Sequence, residues 1–67
     1  MEQKYFIAYV AYFDIRMDLF NTIIYIDEEI TSELIDKIQE DLTQKINESR
    51  PVEYLYYGVQ IINIAKI

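Results

Sequence analysis

The sequence predicts an α+β domain: a three-stranded antiparallel sheet in the order 2-1-3, one helix packed on one face, and a chain running ββαβ. Three observations carry this. Residues 31–47 have helical periodicity, with Leu34, Ile35, Ile38, Leu42 and Ile46 on one side and Glu33, Asp36, Lys37, Glu40, Gln44 and Lys45 elsewhere. Two runs rich in aromatic and β-branched residues precede that helix, and a third follows it. A right-handed crossover through the helix returns the last strand parallel to the second, and laying it beside the first makes every pairing antiparallel.

Residues 4–13, KYFIAYVAYF, contain no turn residue and read as the first strand. Tyr5, Ile7, Tyr9, Ala11 and Phe13 alternate with Phe6, Ala8, Val10 and Tyr12, so both faces are apolar and the strand belongs in the middle of the sheet. Residues 14–18 hold the turn without Gly, Pro or Asn. Polar and apolar residues keep alternating there. Either the strands run on as a long, projecting hairpin, or a loop carries Ile15 and Met17 at its tip. Both readings make these two residues candidates for a partner contact, against a plain folding-back onto the domain edge. Residues 19–27 are the second strand, with Phe20, Thr22, Ile24 and Ile26 opposite Leu19, Asn21, Ile23 and Tyr25.

A helix start at Thr31 or Ser32 follows, where a hydroxyl can accept a bond from a free N–H of the first turn. Ser49, Arg50 and Pro51 end the helix near Glu48, because proline disfavours helical geometry in the residue before it. Glu33 with Lys37 and Asp41 with Lys45 are spaced as favourable i, i+4 pairs. The last strand is expected over residues 59–66, with Val59, Ile61 and Ala65 opposite Ile62 and Ile64. Residues 52–57 form either its first half or a separate extended arm. Gly58, the only glycine, suggests a bulge or a close backbone approach.

With 67 residues, the chain is read as one domain over residues 1–67, near the lower size limit for a self-sufficient core. It has no Cys and no His, which removes disulfides and the commonest metal ligands as sources of stability. A homodimer is the expectation that follows. One helix covers one sheet face, so a second copy is expected on the other, with Tyr5, Tyr9, Ile15, Met17 and Tyr25 as the candidate oligomer interface. Short apolar runs interrupted by charge predict no membrane span, and a cysteine-free chain fits a reducing cytoplasm.

The net charge of −6 lies wholly within residues 27–41, and the remaining charges balance. Carboxylates near a helix N-terminus are favoured by its dipole, which accounts for part of the cluster. Three readings stay open for the stripe Glu33, Asp36 and Glu40 and its approach, Asp27, Glu28 and Glu29: a solvated face, a patch that recruits a basic protein, or a phosphate mimic.

Catalytic chemistry finds little footing. Ser-His-Asp and Cys-His nucleophiles are excluded, and one glycine cannot build a phosphate-cradling loop. Asp14, Arg16 and Asp18 imitate only the opening of a calcium loop, with its glycine and distal glutamate missing. No cofactor or metal is expected. Seven tyrosines could stack bases, but six scattered cations offer no phosphate track, so direct nucleic-acid binding is not expected.

Taken together, the segments YFIAYVAYF, FNTIIYIDEEI, ELIDKIQEDLTQKINE and VQIINI resemble the small uncharacterised proteins of bacteriophages and mobile elements. Where many such relatives carry glycines before the Asn-Thr pair, this chain has Asp18, Leu19 and Phe20. The resemblance implies no activity and no site residues. It implies the habit of many phage proteins of this size, which bind and inhibit or redirect a host protein, defence nucleases included. The expected function is therefore a non-enzymatic inhibitor or modulator in the cytoplasm of a bacterial host, engaging a basic host protein through the acidic helix. The alternative is a homo-oligomerising assembly protein that uses its tyrosine-rich sheet face.

Overall fold

A computed structural model describes residues 2–67. Strand β1 (Gln3–Phe13) pairs with β2 (Arg16–Ile26) and with β3 (Gly58–Lys66), both antiparallel, and helix α1 (Ser32–Asn47) lies between β2 and β3 in the chain. The sheet order is β2-β1-β3, as the double alternation of β1 requires.

The hairpin is the long one. β1 and β2 pair from Gln3 opposite Ile26 to Phe13 opposite Arg16, leaving Asp14 and Ile15 as the whole connection. Asp14 supplies the reversal with a φ of 55°, a left-handed conformation that a short polar side chain tolerates better than a branched one. β2 thus begins three residues earlier than expected and ends before Asp27. Ile15 caps the tip at 95% exposure.

The helix covers the odd-numbered face of β1. Ile7, Tyr9 and Ala11 are buried there with Ile26, Ile38, Leu42, Tyr56 and Val59, and Tyr5, Phe13, Phe20, Ile24, Leu34, Ile46, Ile61 and Ile64 pack around them. Thr31 caps α1, its Oγ1 accepting from the Leu34 N–H at 3.1 Å. The two i, i+4 pairs expected on α1 do not close. Among the described residues the only ion pair joins Arg16 to Asp18, at 3.3 Å. Long solvated side chains gain too little from such pairing to be held in one geometry.

Three expectations about the C-terminal third are corrected. Gly58 is neither a bulge nor a close approach: it sits opposite Tyr12, and a Cβ there would meet nothing within 4 Å. The irregularity lies at Ile62, because Ala8 opposes Asn63 while Tyr9 opposes Ile61. That extra residue reverses the alternation of β3, so Val59, Ile61 and Ile64 all face the helix, and Ala65 turns away with Ile62. Beside it the Ile61 N–H donates to Gln39 Oε1 of α1 at 2.9 Å. The bulge thereby delivers a third aliphatic side chain to the core.

Residues 52–57 are neither half a strand nor a free arm. Val52–Tyr54 make one 3-10 turn, and the next turn of chain drives Tyr56 into the core. Asn47, the last residue of α1, holds it there: its Nδ2 donates to the Tyr56 carbonyl at 3.0 Å, and its Oδ1 accepts from the Tyr56 N–H at 2.8 Å.

Candidate functional site

Covering one face with the helix leaves the other in water. Because β1 pairs on both sides, the residues of that face fall into rows across the sheet. Met17, Tyr12 and Gly58 form one, Leu19, Val10 and Gln60 the next, then Asn21, Ala8 and Asn63, then Ile23, Phe6 and Ala65. Leu19 is 70% exposed, Tyr25 62% and Ile23 48%, and Met17 and Ile62 are as open. Lys4, opposite Tyr25, is the one charged side chain at these strand positions, and no acid lies among them. Tyr12 closes part of the field by donating its hydroxyl to Gln60 Oε1 at 2.6 Å. A contiguous apolar surface of this breadth marks an interaction site far more often than a lone exposed leucine does.

The candidate interface residues divide between the two faces. Met17 and Tyr25 are on the open face, and Ile15 is at the hairpin tip. Tyr9 is buried beneath the helix and Tyr5 packs against the core, so neither is available to a partner at the open face. Tyr9 also stacks on Phe20, ring centroids 5.6 Å apart, and burial pushes its phenol up from the ordinary value. Phe6, Val10, Leu19, Ile23 and the two asparagines were not singled out by the sequence. Alternation alone could pair them correctly but not say which face the helix takes.

The six candidate acidic residues are all exposed but do not converge. Asp36 and Glu40 line an open cleft of about 520 Å³ between α1 and the start of β3, with Gln39, Thr43, Gln44 and Tyr57. Asp27 and Glu28 lie instead at a second groove, about 330 Å³, between α1 and β2. Its floor is Ile24, Ile26, Ile38 and Leu42, and Lys37, Asp41 and Lys45 stand along its helix side. Glu29 and Glu33 line neither. The stripe is therefore a spread of negative charge over the helix side of the molecule, not a single pocket.

One polar cluster was missed. The Tyr56 hydroxyl donates to Asp18 Oδ2 at 2.7 Å, and the Arg50 guanidinium lies 4.2 Å from the Tyr56 ring centroid. Phe20 meets the same ring edge to face at 5.9 Å. The Tyr56 bond, helped by Arg16, holds the Asp18 carboxyl below the ordinary carboxylate value, and the Asp18 bond with burial raises the Tyr56 phenol. Asp18 is thus spoken for, and the apparent calcium-loop opening is a turn residue, Asp14, followed by a strand ion pair. Among the described residues no three carboxylates are grouped as a metal site, and no helix is long and apolar enough to cross a membrane.

These features define a class: a three-stranded antiparallel sheet, one face closed by a helix and the other an open apolar surface. No family model matches the chain, and no curated protein or solved structure is significantly similar to it.

Proposed function

We propose that the chain is a non-enzymatic protein-binding domain whose working surface is the open sheet face. One observation carries this reading: Met17, Leu19, Ile23, Tyr25 and Ile62 stand exposed together around Phe6, Val10 and Tyr12. Apolar surface gains roughly 25 cal/mol per Å² on leaving water, so a face of this size is a standing drive to associate. With a single lysine on it and a chain charge of −6, the surface suits a protein better than a nucleic acid.

A second reading has its own support. Glu33, Asp36, Glu40 and the approach Asp27, Glu28 and Glu29 are exposed, and none is engaged in an ion pair among the described residues. An inhibitor or modulator of the phage type, working in the cytoplasm of a bacterial host, would use that unneutralised charge to meet a basic host protein.

Affinity capture from bacterial lysate along a salt gradient separates the two. Capture through the sheet face, whether of a lysate protein or of a tagged second copy of the chain added to it, persists as salt rises and disappears in Leu19→Lys with Ile23→Lys. Capture through the helix side fades once the Debye length drops below about 8 Å and is indifferent to those substitutions. Retention by the double variant of every partner bound at high salt overturns the sheet-face reading.

A further inference from the structure

We infer that the open sheet face is closed by a second copy of this chain, the two copies meeting across the row Asn21, Ala8 and Asn63; this rests on the open face being the working surface. Four observations point to a second copy over any other occupant.

The first is the polar row itself. Ala8 opposes Asn21 on one side and Asn63 on the other, so two exposed amides flank the smallest side chain on that face of the central strand, midway along an apolar field. An arbitrary apolar partner would leave these amides buried without bonds, at a cost that grows with the dryness of the contact. A two-fold axis lying in the face and crossing β1 at Ala8 stacks the row on its own copy, Asn21 on Asn21 and Asn63 on Asn63. Asn carries both donors and an acceptor, so amide meets amide and each is satisfied. A buried asparagine that pairs only with itself also fixes register, because any sliding of one sheet over the other sets amides against Leu19, Val10, Ile23 or Phe6.

The second is charge. Two chains of −6 repel, yet the open-face positions of the strands carry no acid, and the helix-side carboxylates point away from a partner docked there. Face-to-face docking is the arrangement that holds the two acidic sides farthest apart. The third is area. The molecule measures 40 × 19 × 18 Å, so one broad side offers roughly 700 Å², close to the ~800 Å² per partner of a standard stable interface. The fourth is the core. Among the described residues only eight hydrophobic side chains are buried in one copy, all on the helix side, and a sheet sandwich with helices outside would add a second layer of packing.

The test is a charge swap within the row. Wild type is measured by sedimentation from about 1 to 200 μM, beside Asn21→Asp/Asn63→Asp and Asn21→Lys/Asn63→Lys, with circular dichroism reporting the fold of each. The expected wild-type mass is twice 8.1 kDa. Each variant alone is expected as a folded monomer, weakened in self-association by roughly 100-fold or more through like-charge contact. Mixing the two variants in equal amounts is expected to restore the doubled mass. If either double variant fails to fold, the single pair Asn63→Asp and Asn63→Lys reads out the same way.

Wild type that stays monomeric at 200 μM overturns the inference. If Leu19→Lys with Ile23→Lys then still abolishes salt-resistant capture, the face binds a different protein and the functional reading survives without the dimer. A dimeric wild type whose charge variants remain dimeric, or fail to recombine on mixing, overturns it also, since the copies then meet elsewhere.

Discussion

The Tyr56 hydroxyl donates to the Asp18 carboxylate across 2.7 Å and ties the segment before β3 to the second strand of the hairpin, 38 residues earlier. No backbone pairing links those two parts of the chain directly, because β1 stands between β2 and β3. The bond therefore bridges the two edges of the sheet on its helix side.

That bond makes stability depend on pH at both ends of the range. Asp18 lies below its ordinary value of 3.8, first through Tyr56 and then through Arg16, so the fold prefers the carboxylate. Its contribution is fully present above 3.8 and is lost as the pH falls through the lowered value. Tyr56 lies above 10.0, so the fold prefers the neutral phenol, and that contribution is lost as the pH rises through the raised value. In Tyr56→Phe the Asp18 titration, followed by carboxyl-carbon NMR, is expected to move back toward 3.8, and the acid limb of the melting profile should flatten. An unchanged Asp18 titration would mean that the two arginines, Arg16 and Arg50, set it.

The elements were legible in the sequence wherever one period dominated. Helical spacing through Leu34, Ile38 and Leu42 and the double alternation of β1 led directly to the order β2-β1-β3. Three things were not legible. Gly58, the conspicuous residue, attracts the bulge by pattern, but the bulge lies at Ile62, where an ordinary isoleucine is displaced so that Ile61 and Ile64 can both reach the core. The turn at Asp14 and Ile15 carries no glycine or proline, and only the continued alternation hinted at it. Tyr56 sits in the run YLYYG, where neighbouring tyrosines are interchangeable by pattern, yet Tyr54 and Tyr57 are exposed and Tyr56 is core. The candidate site suffered similarly, since both faces of β1 are apolar and Tyr5 and Tyr9 lay on the one the helix took.

Asn47 is expected to matter more to stability than its place at a helix end suggests. Its side chain satisfies both the N–H and the carbonyl of Tyr56 in a partly buried setting. Asn47→Ala leaves both without that partner, a loss of about 1–3 kcal/mol. At roughly 4–8 °C per kcal/mol for a domain of this size, thermal melting detects it easily. Asn47→Asp keeps the acceptor and loses the donor, and should fall between wild type and Asn47→Ala.

The hairpin tip offers a backbone prediction. Asp14 holds a φ of 55°, which costs a β-branched side chain about 1–2 kcal/mol. Asp14→Val should lower the denaturant midpoint accordingly, while Asp14→Asn and Asp14→Gly should stay within about 0.5 kcal/mol of wild type. The neighbouring Ile15→Ala removes a side chain that is 95% exposed and should leave chemical stability unchanged. Equal losses for Asp14→Val and Ile15→Ala would argue against the turn geometry.

The helix carboxylates can be sorted by what each does for the fold. Glu33 lies in the first turn of α1, where the dipole favours an anion by roughly 0.3–1 kcal/mol. Asp36 and Glu40 lie further along, spaced as a like-charged i, i+4 pair that works against the helix by a few tenths of a kcal/mol. Glu33→Lys alone should therefore destabilise, and Asp36→Lys alone, which turns the repelling pair into an attractive one with Glu40, should be neutral or slightly stabilising. The two effects are measured separately by urea titration at low salt. Residues that resist the fold's own interest yet line the cleft beside Tyr57 are the ones a basic partner would need. Reversing all three brings the formal charge from −6 to zero, and loss of salt-sensitive capture in that folded variant is the expected result. If capture survives in the triple variant, the carboxylates of α1 serve solubility alone.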